Sequence, residues 1–285
     1  MLASIQNEPS NFPPQILPSL RSMKFVCPLC KGKLDVQNDG YQCLACRKEY
    51  LLHSGIPDFR VFPDPFLSYQ EDYERTEIVL AGLQKFDFEK LLEHYWSFSD
   101  ITPPILRLKF IRSAVLGEYR GNQTLEIIES NFDKIAGMIL EIGCGTGNFL
   151  AVAAKSFEKV IGIDIAMRWL HVSRRRFMDL GLEIPPLICC CAEFLPFDNN
   201  SFELVVMSST LEFVQDQPKV LAECGRVIDE KGSLFITTVN RFSIARDPYS
   251  YLWGVGFLPR KWQAKYVKKR RVLATAMLKL ILMEV

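Results

Sequence analysis

The sequence predicts an α/β fold of the nucleotide-binding βαβ type. An apolar run at residues 138–140 leads into a turn with glycines at positions 143, 145 and 147, and a helix-forming run follows at 148–156. Residues 159–164 form the next predicted strand, which ends in Asp164. This order of strand, glycine turn, helix, strand and acid is typical of a site where backbone approaches a nucleotide-like ligand. A glycine turn with a purely structural role is the disfavoured alternative.

The spacing of the glycines distinguishes between classes of ligand. The dinucleotide fingerprint G-x-G-x-x-G requires a third glycine at position 148, where this chain has Asn148. The pattern G-x-G-x-G, preceded by Glu141, resembles motif I of the class I S-adenosylmethionine (SAM) methyltransferases. The resemblance implies SAM as the cofactor and a Rossmann-like methyltransferase domain over residues 136–285.

The same resemblance implies a set of cofactor-binding residues. Glu141 would orient the methionine amino group, the glycine turn would contact the methionine moiety, and Asp164 would bind the ribose hydroxyls. Residues 192–197 are similar to the segment that frames adenine in methyltransferases of the quinone-biosynthesis kind. The predicted cofactor residues are Glu141, Gly143, Cys144, Gly145, Gly147, Asp164, Ile165, Ala192, Glu193 and Ser208.

Two positions depart from the family pattern. Cys191 stands where an aspartate often receives the adenine amino group. A thiol is a poor acceptor, so adenine recognition is expected to depend on the backbone around Ala192 and on apolar packing. Phe213, after a predicted strand at 204–207, stands where family members often carry a histidine. No catalytic residue is therefore predicted, and Glu212 is only a candidate polar contact near the methyl acceptor.

Two C-x-x-C pairs, twelve residues apart, precede the α/β domain. Their four cysteines are Cys27, Cys30, Cys43 and Cys46. Two such pairs supply four thiolates at tetrahedral geometry to one Zn²⁺, whereas a redox dithiol needs a single C-x-x-C on a βα unit. Residues 24–62 resemble the Trm112-type zinc ribbons. The resemblance implies a structural Zn²⁺ in a ribbon over 23–62, whose stability depends on the metal because so short a segment buries little apolar surface.

The intervening residues 63–135 are predicted to form a helical connector, because apolar and aromatic residues recur at helical spacing on both sides of a Pro-Pro break. Helices in this position often close over the cofactor in class I methyltransferases. Tyr95 and Trp96 are therefore candidates for a lid. Packing of the connector onto the core is the favoured alternative for this aromatic pair.

The two ends of the chain carry weaker patterns. Residues 1–22 contain four prolines and are expected to form a disordered tail. The resemblance implies a terminal antiparallel hairpin, but residues 272–285 show no two-residue alternation and are expected to form a short apolar helix. The domain is therefore interpreted as altered or truncated at its carboxyl end. Seven basic residues in 260–271 indicate a solvated basic face, or contact with RNA or a membrane surface through 260–285.

Composition limits the classes of function. A net charge of +1 gives no long-range attraction for nucleic acid, no apolar run approaches a bilayer span, and the cysteine pattern suits the cytoplasm. The sequence therefore predicts a SAM-dependent methyltransferase that acts on a small-molecule or lipid-like acceptor. The alternatives are an RNA or protein methyltransferase that docks through its ribbon, and a non-catalytic scaffold.

Overall fold

A computed structural model of the chain describes Leu20 and residues 23–99, 102–132, 135–240, 242–245, 247, 252–259, 262–263 and 265–267. The strands are β1 (Leu34–Val36), β2 (Gly40–Cys43), β3 (Glu49–His53), β4 (Ile56–Pro57), β5 (Ile139–Ile142), β6 (Val160–Asp164), β7 (Leu187–Cys189), β8 (Phe202–Ser208) and β9 (Ile228–Thr237). The helices are α1 (Tyr69–Leu83), α2 (Phe88–Ser97), α3 (Pro104–Val115), α4 (Gly117–Asn131), α5 (Asn148–Ser156), α6 (Met167–Asp179) and α7 (Gln217–Val227), with a 3₁₀ turn at Val255–Phe257.

A parallel five-stranded sheet, in the order β7-β6-β5-β8-β9, forms the centre of the larger part of the chain. All four residues of β5 are buried, as expected for a strand covered on both faces. The strand order reverses between β5 and β8, and open α/β sheets bind ligands at the carboxyl ends of such strands. The Rossmann-like fold class predicted from the sequence is confirmed.

The implied terminal hairpin is not found among the described residues. In the ranges that the structure covers, no strand follows β9. The predicted tail at 1–22, apart from Leu20, and the predicted helix at 272–285 lie outside the described residues, as does most of the basic segment 260–271. Among the helices that are described, none is long and apolar enough to cross a membrane.

The amino-terminal ribbon is a separate antiparallel sheet in the order β1-β2-β3-β4. Its inner face nevertheless joins the main hydrophobic core. The shared cluster includes Phe25, Tyr41, Tyr50 and Phe59 from the ribbon with Leu140, Ile142, Ile163 and Phe197 from the parallel sheet and its loops. Backbone bonds cross the boundary, from Val26 N–H to Pro196 O (3.0 Å) and from Phe59 N–H to Cys189 O (2.7 Å). The ribbon thus covers the β7 edge of the parallel sheet.

The connector is helical, as predicted: α1 and α2 pack against α6, α4 packs against α5, and α3 lies between α2 and α4. Tyr95 is buried and its ring contacts that of Trp169 on α6 at a centroid distance of 5.0 Å. The Trp96 ring stacks on Phe110 of α3 at 5.2 Å. In this structure, Tyr95 packs the connector onto α6 and Trp96 packs two connector helices together, which agrees with the packing alternative that the sequence favours over a lid.

A buried ionic cluster joins the ribbon, the connector and α6. Asp72 of α1 is fully buried and accepts hydrogen bonds from Arg60 (2.6 Å) and from Arg168 of α6. Arg60 also forms a bidentate ion pair with Asp58, and Arg168 donates a hydrogen bond to Asp64 at 3.0 Å. Each charge in the cluster has a partner of opposite sign, which offsets the cost of removing the group from water.

Replacing the central carboxylate should destabilise the whole fold. We expect Asp72→Asn to lower the free energy of unfolding by about 3–5 kcal/mol, because two buried guanidinium groups lose their shared anion. Urea denaturation followed by circular dichroism measures this loss. Asp87→Asn at the exposed N-cap of α2 is the matched control and should change stability far less, since asparagine also caps helices. Equal effects of the two substitutions would contradict the assignment.

Candidate functional site

The glycine turn lies at the carboxyl end of β5, where the strand order reverses. Its backbone is fixed to the neighbouring strand, because Gly143 N–H and Cys144 N–H both donate to Ile163 O, at 2.8 and 2.9 Å. Gly145 has φ +50°, and a Cβ at this position would meet no described atom within 4 Å. The turn therefore needs glycine for its conformation, and Gly145 exposes bare backbone to open space.

Asp164 lies beside this turn at the end of β6. Its carboxylate accepts hydrogen bonds from Gly145 N–H and Ala166 N–H, both at 2.8 Å. Burial raises the pKa of Asp164 to about 6, although the two N–H bonds and the nearby Arg168 act in the opposite direction. The side chain thus holds the glycine turn against the loop that follows β6 and still faces a cavity.

That cavity has a volume of about 240 Å³ and a mainly apolar lining. Ile165 and Ala192 lie on the side of the parallel sheet. Phe62 and Phe66 enter from the segment that leaves the ribbon, and Phe213, whose ring meets that of Phe66 at 6.2 Å, lies in the loop after β8. A flat apolar ring would be enclosed here, next to the Asp164 carboxylate.

A second cavity of about 650 Å³ lies on the other side of the turn, between the parallel sheet and helices α3 and α4. Glu141 and Ser208 line it, and neither the buried Glu141 Oε2 nor the buried Ser208 Oγ has a hydrogen-bond partner among the described residues. Burial raises the pKa of Glu141 to about 8. Two unsatisfied polar atoms in one cavity are expected where a polar ligand group completes the hydrogen bonding.

The two cavities share Gly143 and Ser209. An elongated ligand could therefore place an apolar ring with adjacent hydroxyls in the first cavity and a charged polar end in the second. A third cavity, of about 870 Å³, lies at the opposite end of the sheet around Met138 and Pro186. No residue that lines the third cavity carries one of the unpartnered buried polar atoms found in the described residues. It therefore lacks the unsatisfied polar groups expected of a site for a polar ligand.

The structure places most of the predicted cofactor residues around these two cavities. The first cavity is lined by Gly143, Asp164, Ile165, Ala192 and Glu193, and the second by Glu141, Gly143, Cys144, Gly145 and Ser208. Gly147 lines neither of them, and instead caps α5 with φ +76° beside Ser173. Glu193 Oε1 already accepts the Gln215 N–H at 2.8 Å, so this side chain fixes a loop.

The remaining candidates lie elsewhere. Glu212 lines neither cavity, and its Oε2 accepts the Thr238 hydroxyl at 3.0 Å. Cys191 bonds to the backbone at positions 61 and 62. No histidine is among the described residues that line either cavity. The described lining of the two cavities therefore offers no imidazole base.

Several lining residues have no signal in the sequence. Phe62 and Phe66 reach the first cavity from the ribbon, and Lys109, Phe110 and Arg120 reach the second from α3 and α4. These side chains come from helices and loops far away in sequence from the glycine turn. Only the packing of the connector on the parallel sheet brings them to the site.

Comparison with known families agrees with this geometry. Residues 140–236 match the sequence profile of the family described as "Methyltransferase domain". These residues form a methyltransferase domain. The matched range begins in β5 and ends in β9, so it includes the glycine turn, Asp164 and the loop after β8. The match agrees with the methyltransferase class that motif I predicts.

Curated relatives extend the match beyond this domain. The "Ubiquinone biosynthesis O-methyltransferase" of Hahella chejuensis is 25% identical over 197 residues, which are 66% of this chain and 75% of that protein. The protein of the same name from Nitrosococcus oceani is 29% identical over 176 residues, covering 59% of this chain and 64% of its own length. The chain thus spans less than two thirds of the second relative.

A solved structure, "Crystal structure of a SAM dependent methyltransferase from Aquifex aeolicus", overlaps with 65% of this chain and 88% of its own. The sequence identity is 18% and the TM-score is 0.42. The fold assignment given above comes from the strand order of the chain itself.

A methyl group added at Gly145 should reduce cofactor binding. We expect Gly145→Ala to weaken SAM binding at least about tenfold, measured by calorimetry, because its Cβ would enter the open space at the turn. Gly181→Ala is the matched control, since Gly181 also has a positive φ (+63°) and a Cβ added there would likewise meet no atom within 4 Å. Both variants should lose about 1 kcal/mol of stability through backbone strain. A similar loss of affinity in both would contradict this role for the turn.

Proposed function

We propose that this protein transfers the methyl group of SAM to a hydroxyl of a small or lipid-like molecule. The observation that carries the proposal is the pair of cavities on either side of the glycine turn in the methyltransferase domain. The unpartnered Glu141 and Ser208 atoms lie in one cavity and Asp164 lies in the other. This arrangement fits a cofactor that carries an amino acid with an ammonium group at one end and a nucleoside at the other.

Different residues would bind different parts of the cofactor. Glu141 would accept a hydrogen bond from the ammonium group of the cofactor, and this ion pair would supply the partner that its buried carboxylate lacks. Asp164 would accept the ribose hydroxyls. Ile165, Ala192 and Phe62 would enclose the adenine ring, in a recognition that depends on apolar packing because Cys191 is committed to the ribbon backbone.

The cofactor supplies a methyl group that its sulfonium makes electrophilic. The task of the protein is then to align the acceptor with this group and to exclude water, which turns a bimolecular step into one between bound partners. When bound, the cofactor would give its methyl group to the acceptor oxygen and keep the electron pair of the broken carbon–sulfur bond as a thioether, while the hydroxyl proton would pass to solvent water. The buried turn and the apolar walls would align the acceptor with the methyl group and exclude water.

The class of acceptor is inferred from charge and from the relatives. A formal charge of +1 offers little attraction for the phosphates of nucleic acid. Both relatives described above have names that state ubiquinone biosynthesis and O-methylation. We therefore infer a small or lipid-like acceptor with a hydroxyl group.

We also propose that the four-cysteine cluster holds a structural Zn²⁺. The Sγ atoms lie within 4.8 Å of one another, and two of the separations, Cys27–Cys46 and Cys30–Cys43, are 3.6 and 3.5 Å. Four thiolates about 2.3 Å from a central zinc ion are about 3.8 Å apart. The cluster is thus close to the size of a tetrahedral zinc site before any metal is added.

The role of Glu141 predicts a pH dependence of binding. In the free protein the Glu141 pKa is about 8, so the group is protonated at pH 6 and must ionise to pair with an ammonium. Affinity for S-adenosylhomocysteine should therefore rise between pH 6 and 7.5, by up to about tenfold per pH unit, below the pKa of the ligand's own amino group at about 8. Calorimetry at several pH values measures this slope.

The variant Glu141→Gln should bind more weakly and lose most of this slope. Glu193→Gln is the matched control, because Glu193 is buried nearby but bonds to a loop. It should keep the pH dependence of the wild type. An unchanged slope in Glu141→Gln would remove that residue from the site.

The acceptor class can be tested directly. Methyl-labelled SAM is incubated with the protein and with separate lipid, small-molecule, RNA and protein fractions of a cell extract. We expect label in the lipid or small-molecule fraction, because the low net charge offers little attraction for nucleic acid and both relatives are named for ubiquinone biosynthesis. Label found only in RNA or only in protein would contradict the proposed acceptor, and binding of SAM without transfer to any fraction would favour a scaffold.

A further inference from the structure

The segment that leaves the ribbon, residues 58–66, is here called the exit segment. It runs along the β7 edge of the parallel sheet and continues into the first cavity. Phe59 N–H donates to Cys189 O at 2.7 Å, and Val61 N–H donates to the Cys191 sulfur at 3.4 Å. The Cys191 thiol donates in turn to Phe62 O at 3.5 Å. The exit segment is therefore attached to the methyltransferase domain along its length.

The far end of the exit segment is part of the cofactor cleft. Phe62, Asp64, Pro65 and Phe66 line the first cavity, together with Asp164. One wall of the cavity thus belongs to the chain that emerges from the ribbon. A change in the position of the exit segment would change the shape of the cavity directly.

Arg60 connects the exit segment to the loop that carries Asp164. Its guanidinium donates to the Ile165 carbonyl at 3.2 Å, to Asp72 at 2.6 Å and to Asp58. Ile165 directly follows Asp164 and lines the same cavity. Arg60 is nearly buried, so these bonds are protected from competition with water.

The near end of the exit segment contacts the four-cysteine cluster through one aromatic side chain. The Tyr50 hydroxyl lies 3.2 Å from the Sγ of Cys27, a predicted metal ligand. The Tyr50 ring packs on Phe59 at a centroid distance of 5.2 Å, and Phe59 is completely buried. Groups that contact a metal ligand in this way fix its orientation. A continuous packed path therefore runs from the cysteines to Arg60.

We propose that metal binding at the four-cysteine site controls the affinity of the cofactor cleft, with Arg60 as the positioning residue that transmits the effect. The inference rests on the proposed function, since it takes the cleft to bind SAM. Without the metal, the short ribbon sheet loses the ion that stabilises it, and Phe59 and Arg60 lose an ordered ribbon to pack against. The wall of the cavity then becomes less ordered, and ligand binding must restore that order.

The test measures the affinity of the full-length protein for S-adenosylhomocysteine by calorimetry, together with zinc content by elemental analysis. Zinc-loaded wild type is compared with wild type treated with a chelator and with Cys46→Ser, in which an exposed ligand is removed. Circular dichroism shows whether the helices remain folded. We expect about one zinc per loaded chain, and an affinity about tenfold lower without it, within the usual range of coupling between two sites.

Three substitutions separate this coupling from a general loss of stability. Arg60→Gln should keep its zinc and lose about tenfold in affinity, and Arg60→Lys should recover part of that loss because it keeps the charge next to Asp72. Lys31→Gln is the control, because it breaks another contact of the ribbon, the 2.7 Å ion pair with Glu223, away from the cleft. It should keep both its zinc and its affinity.

Each outcome decides the proposal. Unchanged affinity in folded, zinc-free protein would overturn it, and so would unchanged affinity in Arg60→Gln. If removal of zinc unfolds the whole chain, the metal acts on the stability of the fold and not on the cleft, and the proposal is overturned. An equal loss in Lys31→Gln would show a general effect of the ribbon and also overturn the role of Arg60. Failure of zinc-loaded wild type to bind the ligand would instead contradict the proposed function.

Discussion

The carboxylate of Asp72, buried between Arg60 and Arg168, is the contact on which the arrangement of the molecule depends. It joins the exit segment of the ribbon, helix α1 of the connector and helix α6 of the methyltransferase domain. A buried anion between two cations favours one geometry, because moving Asp72 away from either guanidinium weakens the compensation of a charge that water does not reach. The cluster therefore fixes three distant parts of the chain around one side of the cofactor cleft.

The cleft combines two kinds of constraint. The parallel sheet places the glycine turn and Asp164 at the reversal of strand order, as in other open α/β sheets. The walls, by contrast, come from outside this sheet: Phe62 and Phe66 from the exit segment, and Phe110 from α3. The ribbon and connector thus supply walls of the proposed site. A ribbon that served only to dock RNA or protein would not need to supply them.

The sequence predicts those parts of the site that depend on local patterns. The glycine turn, the strand that ends in Asp164 and the paired cysteines each have a fixed spacing set by their chemistry. Asp72 and Arg168 were missed because they are 96 residues apart and look like ordinary surface charges on two helices. Trp96 was ambiguous for a related reason: an aromatic residue at helical spacing fits a lid or a packing contact equally well, and only the fold shows that it stacks on Phe110.

A crystal structure of the zinc-loaded chain with S-adenosylhomocysteine would show whether one cofactor occupies both cavities. We expect one ligand across the glycine turn, with its amino group at Glu141, its ribose at Asp164 and its adenine between Ile165, Ala192 and Phe62. Soaking and co-crystallisation that leave this cleft empty, or a ligand bound at the opposite end of the sheet near Pro186, would contradict this expectation.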